Sequence, residues 1–401
     1  MKQRTFKTSL LKAMAIICFF LSVMMGCSRN PSVMNQLSIQ VAQNINGVIV
    51  CDKSLLKETI TIPLSDLTDG ELQILKLDDA DEALVKGGST VISDNYILVK
   101  GERSIPYKLF ERKTGKFIAN IGSYGQGPHE YISVYDQQID EANNRIYLLP
   151  WTATKILVYD LKGNGLDPIP LCYDVPKGKI KVDTKNGTVV VCTLPFPNAQ
   201  AIVWQQTLDG KLLKSIEPGH LSLPYDYSNE VYSYTDGDVF DFLVFSFKPR
   251  SDTLYRYDSS NNRLLPLFTL DYKRQDVSIH AYHSNAKYYL GQIAEPRQIA
   301  ENTFSTQNHQ FFIVDKETLK GSLFILVNDF LGDSEIKWPS FVLNGDYYVR
   351  NEDPGNLRDE LENTLSTNTN LSPAMREKLT KLKNSITDND NNYVLFAKLK
   401  K

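Results

Sequence analysis

Ile156-Leu-Val-Tyr-Asp-Leu-Lys-Gly163 is a β-run of apolar and β-branched residues that stops at an acidic turn ending in glycine. The same pattern occurs earlier as Tyr107-Lys-Leu-Phe-Glu-Arg-Lys-Thr-Gly115. It returns as Val203-Trp-Gln-Gln-Thr-Leu-Asp-Gly210, Leu254-Tyr-Arg-Tyr-Asp-Ser-Ser-Asn261 and Phe311-Phe-Ile-Val-Asp-Lys-Glu-Thr318. A sixth β-run, Tyr393–Leu399, closes the chain. The turn markers at 115, 163, 210, 261 and 318 are spaced by 48, 47, 51 and 57 residues. A period near this value is that of four-stranded propeller blades, and four to eight blades close a ring.

The last step, from 318 to about 398, is 80 residues long and contains a helical-looking insert at 354–386. Without those 33 residues the step is 47, so the insert interrupts a sixth copy. Leu357, Leu361 and Leu365 make one helical stripe, and Met375, Leu379, Leu382 and Ile386 a second. Ser372-Pro373 suits an N-cap and first helical position. The expected fold is all-β: a six-bladed β-propeller over 58–401, with a small helical insert in the last blade. Residues 71–77 are the expected outer strand beside Tyr393–Leu399, since closure takes a strand from the other terminus. A sandwich would not repeat at a fixed period.

The 401 residues carry a net charge of −3, with 42% hydrophobic and 23% charged residues. This excludes wholesale disorder, a collagen-like chain and a multi-pass membrane protein. With a pI of about 6.0 there is no basic field, and nucleic acid is not an expected partner. Residues 1–26 hold Lys2, Arg4, Lys7 and Lys12, then an apolar run at 13–25, and read as a signal peptide. The run ends at Met24-Met25-Gly26-Cys27, which resembles a bacterial lipobox. That resemblance implies cleavage before Cys27 and its lipidation, hence a membrane partner through the lipid anchor. Ser28 rather than Asp follows, which by the same analogy implies the outer membrane, with the protein facing the periplasm. Residues 27–57 read as the lipidated N-terminus and a tether. Cys51, Cys172 and Cys192 remain, too few for a disulfide framework; a Cys172–Cys192 bridge is left open.

Three segments together resemble the bacterial six-bladed β-propeller lipoproteins related to NHL-repeat propellers. They are Ile121-Gly-Ser-Tyr-Gly-Gln-Gly-Pro-His-Glu-Tyr131, the hairpin from Arg145 to Asp160, and Asn392-Tyr-Val-Leu-Phe-Ala-Lys-Leu399. The resemblance implies fold and compartment rather than a chemistry.

Strand alternation puts the loops between blades and the loops joining second to third strands on one face. The register maps His129, His220, His280, His283 and His309 to this face, with Arg103, Glu130, Trp151 and Arg250. Ligand binding is expected from Arg103, His129, Glu130, Trp151, His220, Arg250 and His309. Trp151, beside Pro150 at a hairpin tip, offers a flat face to a sugar, whereas Trp204 sits mid-strand and reads as core. Tyr225, Tyr227, Tyr232 and Tyr234 cluster after His220. No P-loop, dinucleotide fingerprint, nucleophile elbow or zinc motif occurs, so no cofactor and no metal site is expected. A divalent metal held by histidines is the alternative, for which His280-Ala-Tyr-His283 is the one notable spacing.

The preferred functional reading is a lipid-anchored cell-envelope module binding a glycan, a small molecule or an envelope protein through this face. One alternative is a propeller hydrolase or lyase at the channel mouth, using His129 and Glu130 with His280 or His283. The other is a scaffold docking a partner through the helical insert.

Overall fold

Each repeat marker is the turn between the third and fourth strands of a blade, built on an Asp side chain in blades 2, 4 and 5, on Thr207 Oγ1 in blade 3 and on the backbone bond from Gly115 N to Glu111 O in blade 1. Asp160 Oδ1 accepts from the backbone N–H groups of Lys162 (2.9 Å) and Asn164 (2.8 Å). Asp315 Oδ1 accepts likewise from Glu317 (3.1 Å) and Thr318 (2.7 Å). Gly115 and Gly163 have φ of 73° and 84°, and a Cβ would lie 2.2 Å from Lys76 O and 2.2 Å from Asn120 O, respectively. Glycine is therefore required twice over, by backbone sign and by the close approach of the preceding blade's outer strand. In the fourth repeat Asn262 (φ 49°) holds the left-handed position and donates through Nδ2 to Ser215 O of the preceding blade at 3.0 Å. The marker that sets the period in sequence thus stitches consecutive blades in space.

The computed structural model describes residues 33–101, 104–236, 239–248, 250–273, 276–300, 303–337, 343–344 and 346–400. The expected signal peptide, Cys27 and Arg103 lie outside them. The chain divides into two units at Leu37/Ser38. In the first, the described structure is a short helix, Val33–Gln36. Among the described residues the second holds six blade sheets, antiparallel within each blade, and a two-stranded parallel ladder of Ser123–Tyr124 with Glu130–Tyr131.

Blade 1 is Thr90–Ile92, Tyr96–Val99, Tyr107–Glu111 and Phe117–Ile121. Blade 2 is Val134–Asp140, Arg145–Pro150, Ala153–Tyr159 and Gly165–Val175. Blade 3 is Gly178–Asp183, Thr188–Thr193, Val203–Thr207 and Leu212–Ile216. Blade 4 is Glu230–Asp236, Val239–Phe245, Thr253–Asp258 and Arg263–Asp271. Blade 5 is Ile279–Ser284, Tyr288–Ala300, Thr303–Asp315 and Gly321–Asn328. Blade 6 is Leu343–Asn344, Tyr347–Glu352 and Tyr393–Leu399, completed by Thr68–Lys76 antiparallel to the last of these. The closing strand is the expected one, begun three residues earlier. The first strand of each blade lines the channel.

The stretch read as a tether is ordered differently from Ala42 onward. Ala42–Ile45 and Val48–Asp52 form a hairpin, and the second strand runs parallel to the outer strand of blade 4. Thr59–Pro63 then runs parallel to the outer strand of blade 5. Its burial is concentrated at one end: Thr59 and Thr61 are exposed, Ile60 is half-buried, and Ile62 and Pro63 are buried. The segment covers two edges that would otherwise present unpaired backbone.

The core is a set of inter-blade layers. Trp204 of blade 3 is buried with Leu149, Val158 and Ile169 of blade 2, and its Nε1–H donates to Gln206 Oε1 at 2.9 Å. Burying each such large side chain contributes about 1.5–3 kcal/mol. The insert is two helices, Pro354–Thr367 and Pro373–Ser385, capped by Asp353 and Ser372. Leu357, Leu361 and Leu379 are buried, and Arg350 of blade 6 pairs with Glu360. That packing makes the pair part of the propeller wall.

Candidate functional site

The sequence-predicted residues do not form one constellation. His129 lies in the connection from blade 1 to blade 2, where a Cβ on Gly165 would come within 2.4 Å of its ring, and Tyr159 OH donates to its carbonyl at 2.9 Å. Glu130 folds back on its own loop, accepting from Gly127 N at 2.8 Å and Ser123 Oγ at 3.3 Å. His220, in the connection from blade 3 to blade 4, meets Tyr255 OH at 3.3 Å. Arg250, in the second-to-third-strand loop of blade 4, pairs with Asp252 at 2.7 Å.

His280 and His283 are not in the blade 4–5 connection, as the register expects, but inside the first strand of blade 5, Ile279–Ser284. His309 is likewise not in a loop but within Thr303–Asp315. Ile279–Tyr282 are buried on consecutive positions, and the second and third strands of blade 5 run to 13 residues each, which carries the polar stretch around His309 into the strand. Burial pushes His280 and His283 down to about 4, so both are neutral at neutral pH. They stand on blade 5, half the ring from His129 and Glu130. Among the described residues there is no group of three or more His, Cys, Asp or Glu side chains able to hold a metal.

Trp151 is exposed, as expected of a residue at a hairpin tip. It caps the two-residue turn of blade 2, with its N–H donating to Ser133 O at 3.0 Å. Thr152 after it has φ 55°, and its N–H donates to Pro176 O at 3.0 Å. A β-branched residue held in the left-handed region costs on the order of 1–3 kcal/mol. The indole is 47% exposed. On one side it walls a groove of about 410 Å³, lined also by Gly125, Gly127, Glu130 and Lys155. On the other, its centroid is 6.1 Å from the ring of Tyr227. Tyr227 and Tyr225, 49% and 59% exposed, pack on buried Phe196 at 5.0 and 5.2 Å. These rings form an exposed aromatic platform over blades 2 and 3.

Below it lies a charged cluster that the sequence reading missed. Lys177 Nζ donates to Glu230 Oε1 (2.6 Å), Tyr227 O (2.6 Å) and Asn229 O (3.1 Å). It also lies 5.7 Å from the ring centroids of Trp151 and Tyr135. Lys179 pairs with Asp136 at 3.3 Å and lies 5.3 Å from the Tyr135 centroid. Lys100, from blade 1, donates to Val134 O at 2.7 Å. Burial pushes the Glu230 carboxyl up to about 7, against the pull of Lys100. Burial, with repulsion from Lys179, holds Lys100 below the ordinary lysine range. One signal could have found this cluster: polar residues recur at the heads of the innermost strands, as Tyr135-Asp136, Lys177-x-Lys179 and Glu230.

Six four-stranded blades around a channel, closed by an N-terminal strand and with a loop-built polar and aromatic mouth, define a six-bladed β-propeller. The chain belongs to the family described as Domain of unknown function (DUF4934), which matches residues 46–398. A Bacteroides fragilis NCTC 9343 protein, named as exported, is similar in structure, with 17% identity over 86% of this chain and 98% of that one and a TM-score of 0.57. A member of the DUF4221 family from Bacteroides vulgatus has 10% identity over 83% of this chain and 97% of that one, with a TM-score of 0.45. No curated protein matches the sequence.

Proposed function

We propose that this chain is an exported, lipid-anchored binding module of the cell envelope, and that it holds a carbohydrate on the platform of Trp151, Tyr225 and Tyr227. The observation that carries the reading is the anchoring of exposed rings. Lys177 fixes the backbone at Tyr227 while its ammonium lies against the Trp151 ring. Held aromatic surface facing solvent suits the apolar face of a sugar and gives up little entropy on binding. The strained turn at Thr152 supports the same reading, since strain of that kind collects at binding sites. The compartment and anchor rest on residues 1–26 and Cys27, on the likeness to NHL-related lipoproteins, and on the exported fold relative.

A thermal-shift panel of envelope oligosaccharides against the mature chain tests the site. A ligand at 100 times its Kd stabilises by about 2.7 kcal/mol, and Trp151→Ala should remove the shift. A panel with no shift contradicts the reading. Cys27→Ser should release the protein from membranes; retention after alkaline washing contradicts the anchor.

A further inference from the structure

We propose that the saccharide is acidic, and that its carboxylate enters the channel mouth beneath the platform and pairs with Lys100 and Lys179. The inference rests on the platform being a saccharide site and names the class of sugar it takes.

The charge balance of the cluster carries it. Four ammonium groups, Lys100, Lys177, Lys179 and Lys248, meet three carboxylates, Asp136, Asp226 and Glu230. All three carboxylates are committed: Glu230 accepts from Lys177 at 2.6 Å, Asp136 accepts from Lys179 at 3.3 Å and from Ile180 N at 2.8 Å, and Asp226 accepts from Ser228 N at 2.9 Å and lies between Lys248 and Lys177. Lys100 has a carbonyl acceptor, Val134 O, as its described hydrogen-bond partner. One cation is thus held in a partly buried site without an anion of its own, where a counter-charge is worth most.

Lys100, from blade 1, donates to Val134 O at 2.7 Å, two residues along the same strand from the Asp136 that pairs with Lys179 at 3.3 Å, so the two ammonium groups bear on one another. An anion bridging Lys100 and Lys179 would relieve their mutual repulsion. The aromatic walls decide what carries that anion. Tyr135 has Lys177 and Lys179 over its ring at 5.7 and 5.3 Å, and Lys177 in turn touches Trp151. A sugar ring on the exposed faces of Trp151 and Tyr227 would direct an equatorial carboxylate toward the ammonium groups that lie against Tyr135. A free inorganic anion would leave the rings unused.

The test is calorimetric titration of the full chain, in mild detergent, with two trisaccharides of the same linkage, one neutral and one of uronic acids. The uronate should bind about tenfold tighter at low salt, and the gap should close at 0.5 M salt as charges are screened. Lys100→Met should bring the uronate to the neutral level and leave the neutral sugar unchanged, while Lys100→Arg should keep the preference. Equal binding of both sugars, with no salt dependence, overturns the inference and leaves the platform reading standing. Binding of neither overturns both. A sulfated trisaccharide that outcompetes the uronate overturns the carboxylate assignment.

Discussion

Lys177 Nζ and Glu230 Oε1 are 2.6 Å apart, with the lysine 7% and the glutamate 28% exposed. The lysine comes from the connection entering blade 3 and the glutamate from the first strand of blade 4. The pair therefore joins two blades at the channel mouth, and the same ammonium holds the backbone that carries Tyr227. Removing one partner of a buried pair leaves the other charge uncompensated. Lys177→Met should cost about 2–4 kcal/mol, at the lower end for buried pairs because Glu230 keeps some water. Denaturant unfolding measures it, and adding Glu230→Gln should recover part of the loss.

Burial pushes Glu230 from 4.5 to about 7 and Asp252 from 3.8 to about 7. Both folded-state values lie above the unfolded ones, so the folded chain binds more protons between roughly pH 4 and pH 7. Stability from these groups is present at the acid end of that window and is lost as pH rises through about 7. Unfolding free energies measured from pH 5 to pH 8 should fall, and Glu230→Gln and Asp252→Asn should each flatten the slope. Affinity for an acidic sugar should fall over the same range, because ionised Glu230 reduces the net positive charge of the cluster.

The N-terminal strands should be integral to the ring. They bury Val41, Ala42, Cys51 and Ile62 and cover the outer edges of blades 4 and 5. A chain beginning at Leu64 should lose about 5 kcal/mol or more relative to one beginning at Ser38, and should self-associate through the bared edges. Equal stability of the two in denaturant would refute this role.

The three described cysteines are all free, which closes the question of a Cys172–Cys192 bridge left open by spacing. Cys51 and Cys192 are buried, and burial pushes the Cys51 thiol up to about 12. Cys172 is half-buried, with its Sγ 2.9 Å from Gly210 O. A thiol reagent should therefore modify Cys172 first in the native state. Cys51 and Cys192 should react only on unfolding.

The fold was legible because its markers do two jobs. Gly115 and Gly163 are visible as turn residues and are also the points where blades touch, so spacing in sequence became spacing round the ring. The closing strand could be placed because a ring needs one. The N-terminal hairpin at Ala42–Asp52 was not legible, since pairing in parallel to outer strands leaves no periodic signature of its own. Histidines were over-read: His280 and His283 are polar letters in buried strands, and tertiary packing decided their place. Lysines were under-read: Lys100, Lys177 and Lys179 look like solvated charge until the end of blade 1's second strand and the start of blade 3's first strand meet at the first strand of blade 2. Trp151 was found because proline and a tight turn at a hairpin tip predict exposure from local chemistry alone.

The most direct test of the saccharide platform is tryptophan emission during titration with envelope oligosaccharides, in wild type and in Trp151→Phe. Of the three tryptophans, Trp204 is fully buried, and Trp204 and Trp338 are common to both proteins, so the difference between the two titrations reports Trp151. A saturable change is expected in the wild type and should disappear in Trp151→Phe. A saturable change that survives this substitution, or none with any saccharide, would contradict the saccharide platform.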